Sequence, residues 1–268
     1  MSTLVHLSDL HFGKDRPDLL EPLLSCVNEL NPDIVAISGD FTQRARRSQF
    51  EEAHNFIQRI NAPVLGVPGN HDVLLDRPFQ RFFMPWRRYR KWINADLTPR
   101  YEDDDMVVIG INSFDRFSWQ TGKLSAGRIA QACKAMDDTA ARKARVLVVH
   151  HPLEHPNHTK KKPIPGAEIA LEKLLSCGAN LILSGHLHTW HAENFTVESG
   201  GTTAIQLHAG TSLSSRVRGE PNDFNLVKIS DDQVCVDRLS FNEDKRVFET
   251  TEARTFNRAS DHQISDEV

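Results

Sequence analysis

The chain has 268 residues, with 32 basic and 36 acidic side chains and a formal net charge of −4. At 39% hydrophobic and 25% charged it can bury a sizeable core, which excludes a disordered chain. The mild acidity argues against a dedicated binder of duplex DNA, and no apolar run approaches the ~20 residues that span a bilayer.

In chain order, Leu4–Leu7 is a short apolar run interrupted only by His6, and it ends at Ser8-Asp9. Leu19, Leu20, Leu23, Leu24, Val27 and Leu30 recur at helical spacing, which predicts a helix over Pro17–Leu30. Ile34–Ile37 is a second strand, ending at Ser38-Gly39-Asp40. Ser48–Ile60 is amphipathic, with Phe50, Ala53, Phe56, Ile57 and Ile60 on one stripe. Val64–Val67 is a third strand, ending at Pro68-Gly69-Asn70-His71-Asp72. Met106–Ile111 and Val146–Val149 follow as strands, the second ending at His150-His151-Pro152, with a helix over Ala126–Asp138 between them. A helix at Ala167–Leu175 leads to a strand at Leu181–Leu183 that ends at Ser184-Gly185-His186-Leu187-His188. Beyond it, Asn194–Val197, Thr202–His208, Phe224–Ile229 and Val234–Phe241 read as strands. No linker or repeat divides the chain, so a single α/β domain over 1–253 is expected, with a frayed tail at 254–268.

Cys26, Cys133, Cys177 and Cys235 lie far apart and show no zinc spacing, so free thiols in a reducing compartment are expected. Residues 1–8 are too short for a signal peptide, and polar Asp9 and His11 follow at once. A cytoplasmic location is the expectation.

The chemistry lies where the polar residues fall. Five strand-like runs end in clusters of Asp, Asn or His: Asp9 and His11, Asp40, Asn70 and His71, His150, then His186 and His188. Ligands of layered α/β folds bind outside the carboxyl ends of strands, so these residue types would converge on one edge. A single Asp or Asn at a strand end is ordinary turn chemistry. Five such ends carrying metal-ligand side chains are not.

The blocks Asp9-Leu10-His11, Gly39-Asp40, Gly69-Asn70-His71-Asp72, His150 and Gly185-His186-Leu187-His188 resemble, in order, the signature of the calcineurin-like metallophosphoesterases. Val67-Pro68-Gly69-Asn70-His71-Asp72 and His150-His151-Pro152 are most similar to the bacterial branch that includes class III cyclic-nucleotide phosphodiesterases. The resemblance implies a two-sheet β-sandwich flanked by helices, in four αββα layers. It implies two metal ions, drawn from Fe, Mn or Zn, one held by Asp9, His11, Asp40 and His188 and the other by Asp40, Asn70, His150 and His186. It further implies that His71 stabilises developing charge or protonates the leaving group, with Asp72 holding its imidazole. Physically, i and i+2 residues project to the same side of an extended chain, which suits Asp9 with His11 and His186 with His188.

Other residues have plain readings beside functional ones. His151 adjoins His150 and, on a strand, would point the other way, into packing. His155, His158 and Lys160–Lys162 form either a solvated loop or a basic lip over the phosphate site. His208 is a satisfied buried imidazole or a support for the metal ligands. Arg216 and Arg218 are surface charges or, with Asn70, substrate contacts. Arg77–Arg100 carries seven basic residues against Asp96 alone, interleaved with Phe79, Phe82, Phe83, Trp86, Tyr89 and Trp92. This insert, near 77–105, is either an amphipathic helix with inward aromatics or a cap for an anionic substrate.

The expected function is hydrolysis of a small anionic phosphodiester, with 3',5'-cyclic nucleotides leading. Glycerol or lipid-linked phosphodiesters, pyrophosphate linkages and a metal-dependent nuclease are the alternatives. No duplex nucleic-acid partner is expected, and a homo-oligomer is left open.

Overall fold

The computed structural model describes residues 1–115, 117, 121–137, 139–140, 142–154, 164–196 and 203–258. The elements run β1 (Ser2–Leu7), α1 (Pro17–Leu30), β2 (Ile34–Ile37), α2 (Arg47–Ile57), β3 (Val64–Gly66), a 3-10 turn at Asn70–Asp72, α3 (Pro78–Phe83) and α4 (Arg87–Trp92). They continue with β4 (Arg100–Glu102), β5 (Met106–Ile111), α5 (Ala126–Asp137), β6 (Ala144–Val149), α6 (Ala167–Ser176) and β7 (Leu181–Ser184). The chain then turns to strands: β8 (His191–Thr196), β9 (Thr203–His208), β10 (Asp223–Ile229), β11 (Gln233–Asn242) and β12 (Val247–Asn257).

These strands form two six-stranded sheets, ordered β12-β11-β10-β1-β2-β3 and β4-β5-β6-β7-β9-β8. In the first, β1, β2 and β3 are parallel while β10, β11 and β12 extend the sheet antiparallel. In the second, β5, β6, β7 and β9 are parallel between antiparallel edges β4 and β8. Parallel strands covered on both faces read as continuous apolar runs, which is why Ile34–Ile37 and Met106–Ile111 show no alternation.

Three apolar layers hold the sandwich. Leu4, Ile34, Ala36 and Val67 of one sheet meet Val108, Val146, Val148 and Leu183 of the other. Leu19, Leu23 and Val27 of α1, with Phe50 and Phe56 of α2, cover the outer face of the first sheet. Ile129 and Met136 of α5, with Leu171 and Leu174 of α6, cover the second. Truncating one of these leucines, isoleucines or phenylalanines to Ala costs about 2–5 kcal/mol, because the close-packed walls relax only in part. The result is the expected αββα order, with all parallel strands aiming their carboxyl ends at one edge.

Several expectations change. The β12 strand runs to Asn257, so the tail read as frayed from 254 is paired through its first residues; 259–268 lie outside the described residues. This strand escaped notice because only Phe248 and Phe256 are buried along its polar length. Cys133 and Cys177 form a disulfide between α5 and α6, leaving Cys26 and Cys235 free, so the reading of four free thiols is corrected. The basic-aromatic insert is two six-residue helices, not one: Pro85 interrupts them. A proline there lacks an N–H and forces the preceding residue out of the helical region. No helix among the described residues is long and apolar enough to cross a membrane.

Candidate metal centre

The predicted ligands meet at the carboxyl ends of β1, β2, β3, β6 and β7. The loops after β1 and β2 run side by side, with Asp9 N–H donating to Gly39 O, His11 N–H to Asp40 O and Phe12 N–H to Phe41 O. Asp9, His11, Asp40, His186 and His188 all adopt left-handed backbone, with φ between 50° and 68°. That corrects the picture of extended Asp-x-His and His-x-His segments. The paired side chains converge because both residues turn left-handed while Leu10 and Leu187 between them are buried. Such a conformation costs roughly 1–2 kcal/mol per non-glycine residue, and it persists where surrounding packing over-determines it.

Two glycines make the approach close enough. Gly39 has φ +99°, and a Cβ there would stand 2.7 Å from His150 Nδ1. A Cβ on Gly185 would collide with Ser8 Oγ and press on the Asp9 carboxylate. The glycines of the G-D and G-H-x-H blocks are therefore spacers between ligand loops.

Asp9 Oδ1 is buried with no hydrogen-bond partner, yet His11 Nε2 and His188 Nε2 lie 3.4 and 3.2 Å from it. Those two nitrogens are 3.4 Å apart. Asp40 Oδ2 lies 3.7 Å from His11 Nε2 and 3.4 Å from His150 Nε2, so it stands between two groups of donors. On the far side His150 Nε2 is 3.1 Å from Asn70 Oδ1, and the His150 and His186 rings are 5.1 Å apart. Asp9, His11 and His188 form one set of convergent ligand atoms, and Asp9, Asp40 and His150 another. Convergent buried carboxylate and imidazole donors, with Asp9 Oδ1 left unpaired, are what a pair of borderline divalent ions requires.

Charge and orientation agree with that use. Burial opposes ionisation of Asp9 and Asp40. The neighbouring imidazoles, His188 for Asp9 and His150 with His71 for Asp40, nevertheless hold both carboxyls well below the usual range. Burial likewise opposes protonation of His150, but the Asp40 carboxylate prevails and raises it to about 9. For two of the buried imidazoles the second ring nitrogen is engaged by backbone, His150 Nδ1 with Ser38 O at 2.8 Å and His188 Nδ1 with Arg216 O at 3.0 Å, whereas His11 Nδ1 has no such partner. Such carbonyls fix the tautomer that leaves Nε2 free to ligate. Sequence reasoning missed these supports, because a backbone carbonyl has no residue type to betray it.

His71 and His186 are the half-buried members of the cluster, so the site opens there. His71 Nδ1–H donates to Gln43 O at 2.9 Å, and Arg216 Nη1 approaches His71 Nε2 at 3.2 Å. With Nδ1 as donor, Nε2 holds a lone pair that accepts from the guanidinium. Asp72 does not hold that imidazole, which corrects the expectation. It accepts from Phe41 N–H, Thr42 N–H and Gly69 N–H, tying the Asp40 loop to the Asn70 turn. Burial, reinforced by the Asp40 charge, pushes the Asp72 carboxyl up to about 7. It is a positioning residue.

The remaining candidates sort by place. His151 is buried with Nδ1 2.8 Å from Ser113 Oγ, but its ring lies 4.7 Å from His186 rather than on an opposite face, since β6 ends at Val149. His208 is a satisfied buried imidazole, bonded to Ser184 and Gln206. Arg218 is exposed on the loop beside Arg216. His155, His158 and Lys160–Lys162 lie outside the described residues.

A helix-flanked double sheet thus carries an Asp, Asn and His cluster on its strand ends. The chain belongs to the calcineurin-like phosphoesterases, whose family model matches residues 2–190. Over 72 residues, 26% of this chain and 22% of the relative, it is 36% identical to UDP-2,3-diacylglucosamine pyrophosphatase LpxG of Chlamydia muridarum. Over 77 residues, 26% of this chain and 33% of the relative, it is 25% identical to a probable cyclic nucleotide phosphodiesterase of Vesicomyosocius okutanii. A dimetal phosphatase from Danio rerio shares the fold with a TM-score of 0.67 at 14% identity, covering 96% of this chain and 99% of that one. The family fold implies a dinuclear divalent metal centre.

Proposed function

We propose that the chain is a dinuclear-metal phosphodiesterase acting on a small anionic diester, with 3',5'-cyclic nucleotides as the leading substrate class. The observation that carries this is the position of Asp40 Oδ2 between His11 and His150, where one carboxylate reaches both halves of the cluster. In this reading Asp9, His11, Asp40 and His188 hold one ion, and Asp40, Asn70, His150 and His186 hold the other. When bound, the ions supply Lewis acidity toward the phosphoryl oxygens and acidify water. The Ser38 and Arg216 carbonyls keep His150 and His188 in the ligating tautomer. Arg216 sets a cation beside His71 at the mouth, where negative charge develops on the phosphoryl group and leaving oxygen. In the state seen, His71 Nε2 accepts, so proton donation from it requires prior protonation.

The matched segment shared with a cyclic nucleotide phosphodiesterase supports the leading class. The stretch shared with LpxG favours a second reading, cleavage of a lipid-linked pyrophosphate. The test is hydrolysis by Mn-loaded protein of bis-nitrophenyl phosphate, nitrophenyl phosphate, cyclic AMP, a nucleoside-diphosphate-linked lipid and a single-stranded oligonucleotide. Faster cleavage of diester than monoester, with turnover of cyclic AMP, is expected. Failure on every diester by metal-loaded protein overturns the proposal, and turnover of the diphosphate lipid alone selects the second reading.

A further inference from the structure

Among the described residues, nine large hydrophobic side chains are exposed, and five of them gather at one place: Phe79, Phe82, Phe83, Met84 and Phe117. Phe79 and Phe83 are 65% and 71% exposed, with ring centroids 4.8 Å apart, and Met84 follows at 43%. The Phe82 and Phe117 rings lie 5.7 Å apart. The other aromatics of the insert behave differently. Tyr89 is fully buried against Phe41, Trp86 packs edge-on against Phe114, and Trp92 rests on His54. One set of aromatics thus fastens α3 and α4 to the domain and leaves the other set to form a paired apolar wedge in water. An exposed apolar patch of this kind marks an interaction surface.

The charge around the wedge says what it meets. Residues 76–92 carry six basic side chains against Asp76, in a chain whose net charge is −4. Beside the wedge a cleft of about 240 Å³ is lined by Arg47, Arg87, Arg88 and Lys91, together with Met84 from the wedge. The one acid on its wall is Asp72, which is buried and spends its oxygens on backbone N–H groups. Arg87, Arg90 and Lys91 are exposed, while Arg88 is drawn inward to Ala45 O. A cationic cleft adjoining an aromatic and methionine wedge has the two parts that interfacial binding combines: apolar insertion and attraction to anionic headgroups.

We propose that α3 and α4 dock the protein on an anionic phospholipid bilayer, with Phe79, Phe83 and Met84 entering the headgroup boundary and headgroup phosphates occupying the cleft. Single-stranded nucleic acid is the other polyanion to consider. Its recognition asks for ring faces spaced along a groove to receive successive bases. Here the rings close on one another in pairs and a thioether completes the patch, which suits acyl chains better. The surface also stands near the metal cluster. Arg81 and Trp86 pack on Phe114, the adjacent Ser113 bonds His151, and the His151 ring lies against His186. Docking through the wedge would hold the mouth of the site close to the membrane surface, whichever phosphoester is cleaved.

Co-sedimentation of the metal-loaded full chain with vesicles tests this. Vesicles of phosphatidylcholine with 30% phosphatidylglycerol, a composition chosen at roughly the anionic content that attracts basic segments, are compared with pure phosphatidylcholine. Binding to the anionic vesicles is expected, at least ~10-fold stronger than to neutral ones and weakened by salt. Phe79→Ser with Phe83→Ser should reduce binding by ~10-fold or more, and Arg87→Gln with Arg90→Gln and Lys91→Gln by ~100-fold. Melting temperature and metal content of each variant establish that it is folded. Absence of anionic-vesicle binding at low salt overturns the proposal. So does binding that both folded variants retain in full. Binding to a single-stranded oligonucleotide that these variants abolish, with none to vesicles, overturns it in favour of nucleic acid.

Discussion

The metal edge and the insert that begins just after its Asn70–Asp72 turn are built on opposite rules. At the edge, Asp9, His11, Asp40 and His150 are buried to 1% exposure or less, and the first three sit on left-handed backbone held between the two sheets. In the insert, Phe79 and Phe83 face water from a helix of six residues that Tyr89 and Arg88 help anchor. The edge is over-determined, so its ligand geometry is a property of the whole sandwich. The insert is fastened through Tyr89, Trp86, Trp92 and Arg88, and it is its exposed rings Phe79 and Phe83 that can change without disturbing those contacts. The difference teaches that the chemistry and the means of reaching a target are carried by separate elements.

The edge breaks most completely at Asp40. Asp40→Ala should lose metal from both halves and reduce turnover by at least ~10³-fold, beyond the 10–100-fold typical of losing a group one shell out. His11→Ala should deplete metal less. Retention of two metals per chain by Asp40→Ala, measured by elemental analysis, would refute the shared-ligand assignment.

His71→Ala marks the boundary of the edge. It should keep its metal and lose on the order of 10²–10⁴-fold in turnover of an alkoxide-leaving diester. With nitrophenolate, which needs no proton to depart, the loss should be smaller if His71 acts as an acid. Equal losses for both leaving groups assign it to charge stabilisation with Arg216.

Much of the edge was legible in the sequence because its residue types are chemically unusual at strand ends. Asp9, His11, Asp40, Asn70, His150, His186 and His188 all arrive in one cluster, and the parallel strands that deliver them read as apolar runs. What was not legible depended on backbone. The left-handed turns, the Ser38 and Arg216 carbonyls and the true partners of Asp72 leave no residue-type signal. The β12 strand was hidden because an edge strand with two buried phenylalanines shows little alternation. In the insert the basic and aromatic content was plain, but which rings face inward depends on the break at Pro85, which redirects α4 against α2.

Protonation sharpens the account of the edge further. In the metal-free protein His150 titrates at about 9, against an ordinary value of 6.5, because the Asp40 carboxylate outweighs the burial that disfavours its cation. A ligand must be neutral, so binding below pH 9 expels that proton. Apparent metal affinity should therefore rise about tenfold per pH unit up to about pH 9 and then flatten. The sign for folding is the reverse. A raised imidazole stabilises the metal-free fold fully below pH 6.5, and that contribution is lost as pH rises through 9. Titration calorimetry in buffers of different ionisation enthalpy counts the released protons, and zero release at pH 7 would contradict the assignment.

The smallest effect is expected at the wedge, and it tests whether the insert is as independent of the core as its packing implies. Phe79→Ser and Phe83→Ser remove rings that are 65% and 71% exposed, so little apolar area returns to water on unfolding. Surface changes of this kind stay within about 0.5 kcal/mol each. Tyr89→Ala removes a fully buried ring between α4 and Phe41 and should cost several kcal/mol, near the 3–5 kcal/mol of a large aromatic truncation. Denaturant unfolding of the metal-loaded proteins reads both. If the double serine variant loses more than about 2 kcal/mol, well outside that surface range, the wedge supports the fold rather than standing free of it. If it loses almost nothing while Tyr89→Ala unfolds readily, the insert is a rigidly mounted platform. Its outer face is then free to serve contacts beyond the molecule.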